Sequence, residues 1–266
     1  VTSKLHLFQS SLAASERIFG ILDRTDLEPA MPEPAMPLAS LPPTSAAKTT
    51  PLLRFDRVSF RYEKQEGWAL RDVSFAITPG EKIGVVGPTG AGKTTLFKLL
   101  LRYVEPQEGT IYLRERPLAD YPLEELRRNF GLILQDPFLF SGNLAENCFI
   151  WADRADDRLK DLARRLDLEK VFARRDAGWD LAIHESGANL SVGERQMITF
   201  LRALAASPPI MLLDEATSSI DPPTEALIQT ALRELLRERT ALVIAHRLST
   251  LEGSDRLLIL SGGKLE

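Results

Sequence analysis

The run Gly87-Pro88-Thr89-Gly90-Ala91-Gly92-Lys93-Thr94-Thr95 constrains this chain more than any other feature. It reads G-x-x-x-x-G-K-T, follows the apolar stretch Lys82 to Val86, and opens a helical pattern with Leu96, Leu99 and Leu100 on one face. Strand, glycine loop and helix in that order are the context of a phosphate-binding loop. Glycines let successive backbone N–H groups point into one concavity, and the helix start adds its positive end. Lys93 brings a full charge to the β- and γ-phosphates, and the Thr94 hydroxyl offers a ligand for Mg²⁺. The bland alternative is a glycine-rich βα turn that happens to contain Lys-Thr, and the flanking pattern argues against it.

Bulk properties set the class. Of the 266 residues, 44 % are hydrophobic and 26 % charged, as in a soluble globular protein with one large domain and an appendage. A formal charge of −4 leaves no basic excess to meet a phosphate backbone, so no nucleic-acid partner is expected. The single cysteine, Cys148, excludes an internal disulfide, fits a reducing cytosol and reads as a small buried apolar side chain. No stretch approaches the roughly 18 consecutive apolar residues of a membrane span. No signal peptide is visible, and a chain that begins with Val is expected to be a fragment.

Along the chain, Leu5, Phe8, Leu12, Phe19 and Leu22 give residues 1–24 an amphipathic helical pattern. Residues 25–51 are rich in Pro, Ala and Ser without periodicity and read as an extended linker. The compact domain is expected over 52–266. Alternation in Leu53 to Phe60 and Leu70 to Ile77 predicts antiparallel strands, closed by the Pro79-Gly80 turn. Further strands are expected at Lys82 to Gly87 and Thr110 to Arg114. Pro122 to about Phe172 reads as mostly helical, and a second helix runs from Gly193 to Ala206. The apolar runs Ile210 to Leu213 and Ala241 to Ala245 predict strands buried on both faces of a parallel sheet, with a helix over Pro223 to Arg239 between them. The class is α/β.

Other residues acquire meaning beside the loop. The strand Ile210 to Leu213 ends in Asp214-Glu215, where one carboxylate could hold Mg²⁺ through water and the other orient or deprotonate an attacking water. Ser191 and Glu194 form an S-x-x-E capping box at the second helix, and the same helix start is a second candidate anion site. His246 alone reads more readily as a hydrogen-bonded structural residue, Gln135 as a strand-end amide, and Tyr62 as a strand aromatic facing the core.

Taken together, Tyr62, the loop at 87–95, Gln135, Leu190-Ser191-Val192-Gly193, Asp214-Glu215, Ser219-Ile220-Asp221 and His246 resemble the nucleotide-binding domain of ATP-binding cassette (ABC) transporters over about 52–266. The resemblance implies a phosphate-loop NTPase core with a mostly parallel sheet, an antiparallel β subdomain and a helical subdomain at about 136–192. It implies ATP and Mg²⁺, with Tyr62 stacking on adenine, Gly87 to Thr95 wrapping the phosphates, and Lys93 on the β/γ oxygens. Thr94, Gln135 and, through water, Asp214 would serve the metal, Glu215 would polarise water, and His246 would contact the γ-phosphate. Ser191 and Gly193 would close on ATP held by a second such domain, in a homo- or heterodimer, with Asp221 at the seam. Exporter character is implied by Leu12 to Asp23, similar to the cytoplasmic end of a last membrane helix, and by His184-Glu185-Ser186-Gly187. The expected setting is the cytoplasmic face of a bacterial inner or plasma membrane, in a multidrug- or lipid-exporter-like half-transporter. Phe138 and Phe140 would line a groove for coupling helices of the transmembrane domains, or be simple core aromatics. The C-terminus, ending Leu265-Glu266, is expected to be truncated.

Two positions depart from the family pattern: Val192 replaces a Gly and Glu194 a Gln. At about 8 Å and an effective dielectric of roughly 20, a carboxylate repels a phosphate charge by about 2 kcal/mol before salt screening. Weaker trans binding in one of two unequal sites is the expectation. Alternatives of other classes are a soluble cassette ATPase of translation or DNA repair, and a regulatory half that barely hydrolyses.

Overall fold

Alternation of apolar and polar residues makes the first two strands, β1 (Leu53–Phe60) and β2 (Leu70–Ile77), one antiparallel pair. Phe55 faces Phe75 across it, and their rings stack at 4.5 Å. The computed structural model describes residues 50–63, 66–134, 137–150, 161, 163–164, 178–214, 228–233, 236–237, 239–244, 251 and 253–266, all within the unit Ala46–Glu266. The helix expected over 1–24, the linker up to residue 49 and most of the helix expected over 223–239 lie outside the described residues. Gln135, Glu215, Ser219, Ile220, Asp221 and His246 lie outside them too.

The chain leaves this sheet at the Pro79-Gly80 turn, where Glu81 N–H donates to Thr78 O at 3.1 Å and Gly80 takes a left-handed φ of 83°. The turn leads to β3 (Lys82–Val86) in a different sheet and so does not close the β1–β2 pair. After α1 (Lys93–Leu100), β4 (Glu108–Leu113) returns to the far side of β1 and β5 (Arg116–Pro117) extends it, giving the order β2-β1-β4-β5.

Next come α2 (Leu123–Arg127), β6 (Phe130–Ile133), β7 (Gly142–Asn143), α3 (Leu144–Cys148), β8 (Ala182–Ile183) and α4 (Val192–Ala206). They are followed by β9 (Ile210–Asp214), β10 (Thr240–Ile244), β11 (Arg256–Ser261) and β12 (Lys264–Leu265). Among the described residues, six strands form the main sheet in the order β12-β11-β3-β10-β9-β6. From β11 to β6 every neighbouring pair is parallel, and only β12 is antiparallel.

The continuous apolar runs of β9 and β10 follow from burial on both faces. Met211, Leu213, Ala241 and Val243 enter one core, shared with Phe200 and Leu201 of α4. Ile210, Leu212, Leu242 and Ile244 enter the other, shared with Leu96, Leu99 and Leu100 of α1 and the antiparallel strands. Helix α4 buries Met197, Ile198 and Leu201 as its periodicity predicts, together with Phe200.

The expectation of a mostly helical stretch from Pro122 needs correction. Helix α2 stops at Arg127, and β6 then runs parallel to β9, pairing Ile133 with Leu213. Four apolar residues buried in a sheet carry no period that separates them from a helical turn. The β7–β8 pair and β11–β12 hairpin carried no sequence signal strong enough to name. No helix among the described residues is long and apolar enough to cross a membrane.

Candidate phosphate-binding site

The parallel register brings the strand ends level: Ile244 pairs with Val85 on one side and Asp214 on the other. In a parallel sheet, loops at that carboxyl edge form the ligand crevice. Here the glycine loop leaves β3 and turns on a bond from Ala91 N–H to Pro88 O at 3.1 Å. Gly92 is the N-cap of α1, with φ 103° and no side-chain cap, and no acid lies in the first turn. The first backbone N–H groups of α1 therefore have no capping side chain, at the positive end of the helix dipole.

Two glycines are required by space as well as conformation. A Cβ on Gly92 would stand 2.4 Å from Ala69 O, and one on Gly87 would stand 2.1 Å from Leu260 O. The loop is thus wedged between the start of β2 and the end of β11. Lys93, only 7 % exposed, donates through Nζ to Gly87 O at 2.7 Å and Pro88 O at 2.9 Å, so its ammonium lies across the loop. A phosphate oxygen could take the place of either carbonyl.

Thr94 Oγ1 donates to Asp214 Oδ2 at 3.4 Å, joining residues 120 positions apart. A hydroxyl and a carboxylate beside a phosphate loop are hard oxygen donors, a set that fits Mg²⁺. Residues Gln135, Glu215 and His246 follow β6, β9 and β10 in the sequence and lie outside the described residues.

Tyr62 sits just beyond the end of β1, off the strand, and packs against the core as expected. Its ring is half-buried, edge-on to Phe60 at 4.8 Å, with its hydroxyl 3.3 Å from Thr95 Oγ1 and Lys98 Nζ 5.2 Å from its centroid. A cleft of about 590 Å³ opens beside it, lined by Phe60, Tyr62, Val104 and Gln107 among others. The ring is thus tied to the first turn of α1, where an aromatic face can meet a flat ligand group.

At the start of α4, Ser191 N–H donates to Glu194 Oε2 at 2.7 Å and Glu194 N–H to Ser191 Oγ at 3.2 Å, the reciprocal capping box. Val192 is 40 % exposed, and Gly193 is buried. Arg195 Nη1 donates to Leu190 O at 2.9 Å, with Gly187 O at 3.5 Å, tying the helix to the 184–187 turn. Asn189 staples that turn from the other side, accepting from His184 N–H at 3.0 Å and donating to Ala182 O at 2.8 Å.

Phe138 and Phe140 are 57 % and 52 % exposed, which rules out the core-aromatic alternative. Their rings meet edge-on at 5.1 Å, while Leu139 between them is fully buried. What holds this segment was not foreseen: the buried Asn147 paired with the half-buried Arg202. The signal was an amide and a guanidinium inside otherwise apolar helical faces. Cys148 next to them is buried as expected; burial pushes its thiol up to about 12 against the opposing pull of Arg202. Burial likewise lowers the Arg202 guanidinium from its ordinary value.

A family model described as "ABC transporter" matches residues 70–218. An "ATP-dependent lipid A-core flippase" of Alkalilimnicola ehrlichii is 42 % identical over 259 residues, covering 97 % of this chain and 42 % of its own. A "Fatty acid ABC transporter ATP-binding/permease protein" of Mycobacterium bovis is 39 % identical over 258 residues, covering 97 % of this chain and 39 % of its own. The chain therefore spans well under half the length of these curated relatives. Among solved structures, a bacterial Atm1-family ABC exporter with ATP bound superposes with a TM-score of 0.78 at 32 % identity, covering 97 % of this chain and 44 % of that one.

Proposed function

Because this chain belongs to the ABC transporter family, we propose that it is the ATP-hydrolysing motor of a membrane exporter, paired head-to-tail with a second such domain. The observation that carries the reading is the contact between Thr94 and Asp214, which joins the phosphate loop to the acidic end of β9. The names of the relatives and the ATP-bound neighbour support it.

In this reading the loop amides from Gly87 to Thr95 and the Lys93 ammonium hold the triphosphate, and Tyr62 stacks on the adenine. Thr94, Gln135 and Asp214 hold the magnesium, which when bound neutralises phosphate charge. Glu215 orients and deprotonates the attacking water, and His246 steadies the γ-phosphate. Ser191 and Gly193 face the nucleotide of the partner domain, and Asp221 lies at the seam. Phe138 and Phe140 form a ledge on which coupling helices of the transmembrane domains dock, at the cytoplasmic face of the membrane. Exposed paired aromatics of this kind suit an interface.

A second reading, an unequal pair with one weaker site, is favoured by the Glu194 carboxylate at the start of α4. It changes the rates at two sites and leaves the reaction the same.

The test uses the full-length protein. Glu215→Gln is expected to lower ATP hydrolysis by roughly 10²–10⁴ while sparing ATP binding. Vanadate trapping of nucleotide in the parent protein should then fall with Ser191→Arg, which blocks the trans contact. An unaffected hydrolysis rate removes Glu215 from its role, and trapping that ignores Ser191→Arg removes the head-to-tail pairing.

A further inference from the structure

The ledge at Phe138–Phe140 follows no regular strand or helix, so its backbone groups need partners from elsewhere. Asn147, 1 % exposed at the end of α3, supplies them. Its Oδ1 accepts from Phe140 N–H at 2.9 Å, and its Nδ2 donates to Phe140 O at 2.9 Å and Asn143 O at 3.1 Å. One amide thus pairs with both backbone groups of a single residue, as a neighbouring strand would.

Arg202 of α4 completes the arrangement from the other side. Nη2 donates to Asn147 Oδ1 at 2.8 Å, Nε to Asn147 O at 2.9 Å and Nη1 to Phe138 O at 3.0 Å. Its guanidinium also lies 5.6 Å from the Phe140 ring centroid. A planar fork holds these directions where a lysine's flexible point charge could not. Beneath the ledge, Leu139 reaches Gly187: a Cβ there would meet Leu139 Cδ1 at 3.0 Å and Arg195 Cδ at 2.9 Å. The ledge is therefore fastened to α4 at Arg202, and α4 starts about 15 Å away, at roughly 1.5 Å per residue, beside Ser191.

We propose that Asn147 and Arg202 are positioning residues that lock the Phe138–Phe140 ledge to α4, so that the ledge and the helix start at Ser191 move as one body. This rests on the reading of the ledge as a docking surface for the transmembrane domains. Apolar contacts alone would let the loop slide against the helix. Three directed bonds from one half-buried guanidinium, two of them to the buried Asn147, give the link a defined geometry.

The test is hydrogen exchange by mass spectrometry on the full-length protein in lipid vesicles, with and without Mg-ATP and vanadate. In the parent, nucleotide should slow exchange in peptides covering both 191–196 and 138–143. With Arg202→Lys, and separately with Asn147→Ser, the response at 191–196 should persist while that at 138–143 is lost. In Asn147→Ser, which removes the acceptor of the Phe140 N–H, exchange at that amide should also rise by roughly tenfold, the effect of losing one net hydrogen bond. A ledge that still responds like the parent in either variant, or the loss of both responses in both variants, overturns the proposal. The docking reading is tested separately by labelling Phe140→Cys with a water-soluble maleimide. Rapid labelling removes the docking surface, and with it the path to the membrane domains. Slow labelling with a ledge that still responds in the clamp variants removes the clamp alone.

Discussion

Two helices begin at candidate anion sites in this chain, and they are built in opposite ways. Helix α1 starts on a glycine with no side-chain cap and no acid in its first turn, beside a buried lysine. Helix α4 starts on Ser191 with a reciprocal capping box closed by Glu194, on an exposed surface. The first leaves its amides for a ligand and brings its own cation. The second satisfies two of its amides, those of Ser191 and Glu194, from within and adds a negative charge. A site of the first kind holds a triphosphate in cis. One of the second kind acts only as a partial contributor to a nucleotide held elsewhere, which suits head-to-tail pairing.

The sharpest way to break this contrast is Lys93→Ala. It removes the full charge that the start of α1 brings to the phosphates, and steady-state ATPase assays should show a fall of roughly 10²–10³. A small effect would make the two helix starts equivalent after all. Next in size is a pair of glycine substitutions. Gly92→Ala combines a φ of 103° with a Cβ 2.4 Å from Ala69 O, whereas Gly90→Ala has a φ of 81° and open space. Left-handed strain alone costs about 1–2 kcal/mol, so urea titration should place Gly90→Ala in that range and Gly92→Ala clearly beyond it. Equal losses would mean that the loop is not wedged against β2.

On the α4 side, Val192→Gly with Glu194→Gln should tighten trans nucleotide binding by up to roughly tenfold. Val192 is exposed and Glu194 lies at the surface, so salt screening sets the lower end. No change in ATPase at the weaker site would undercut the unequal-pair reading. The smallest effect concerns the packing that supports α4. The Cys148 thiol is raised to about 12 by burial, so it stays neutral when folded, while an unfolded chain ionises it near pH 8.5–9. Its contribution to stability is complete below that pH and is lost as pH climbs towards 12. At pH 8 the folded protein should resist maleimide at Cys148 until denaturant is added.

The phosphate loop was legible because its chemistry needs a local order of residue types that few other structures demand. The same holds for the buried strands β9 and β10, whose apolar runs announce burial on both faces, and for the capping box of α4. Strand β6 showed only in the reading of Gln135 as a strand-end amide, because so short an apolar run carries no period that separates it from the helical stretch around it. That Asp214 lies beside the phosphate loop was expected; its direct contact with Thr94 was not, and the register of β3, β10 and β9 brings it about. Of the Asn147–Arg202 pair only two polar residues on helical faces were visible, not their partnership. It joins side chains 55 positions apart through backbone groups of a loop, and no sequence pattern records such a bond. The exposure of Phe138 and Phe140 was equally silent, since aromatics in the core and on a ledge read alike.

Titration calorimetry of Mg-ATP into the full-length Glu215→Gln protein addresses the central claim most directly. Binding should saturate at one nucleotide per chain and weaken by at least about tenfold, or 1.4 kcal/mol, when Lys93→Ala is added. Absence of saturable heat from well-folded protein, or affinity that Lys93→Ala leaves unchanged, contradicts the account.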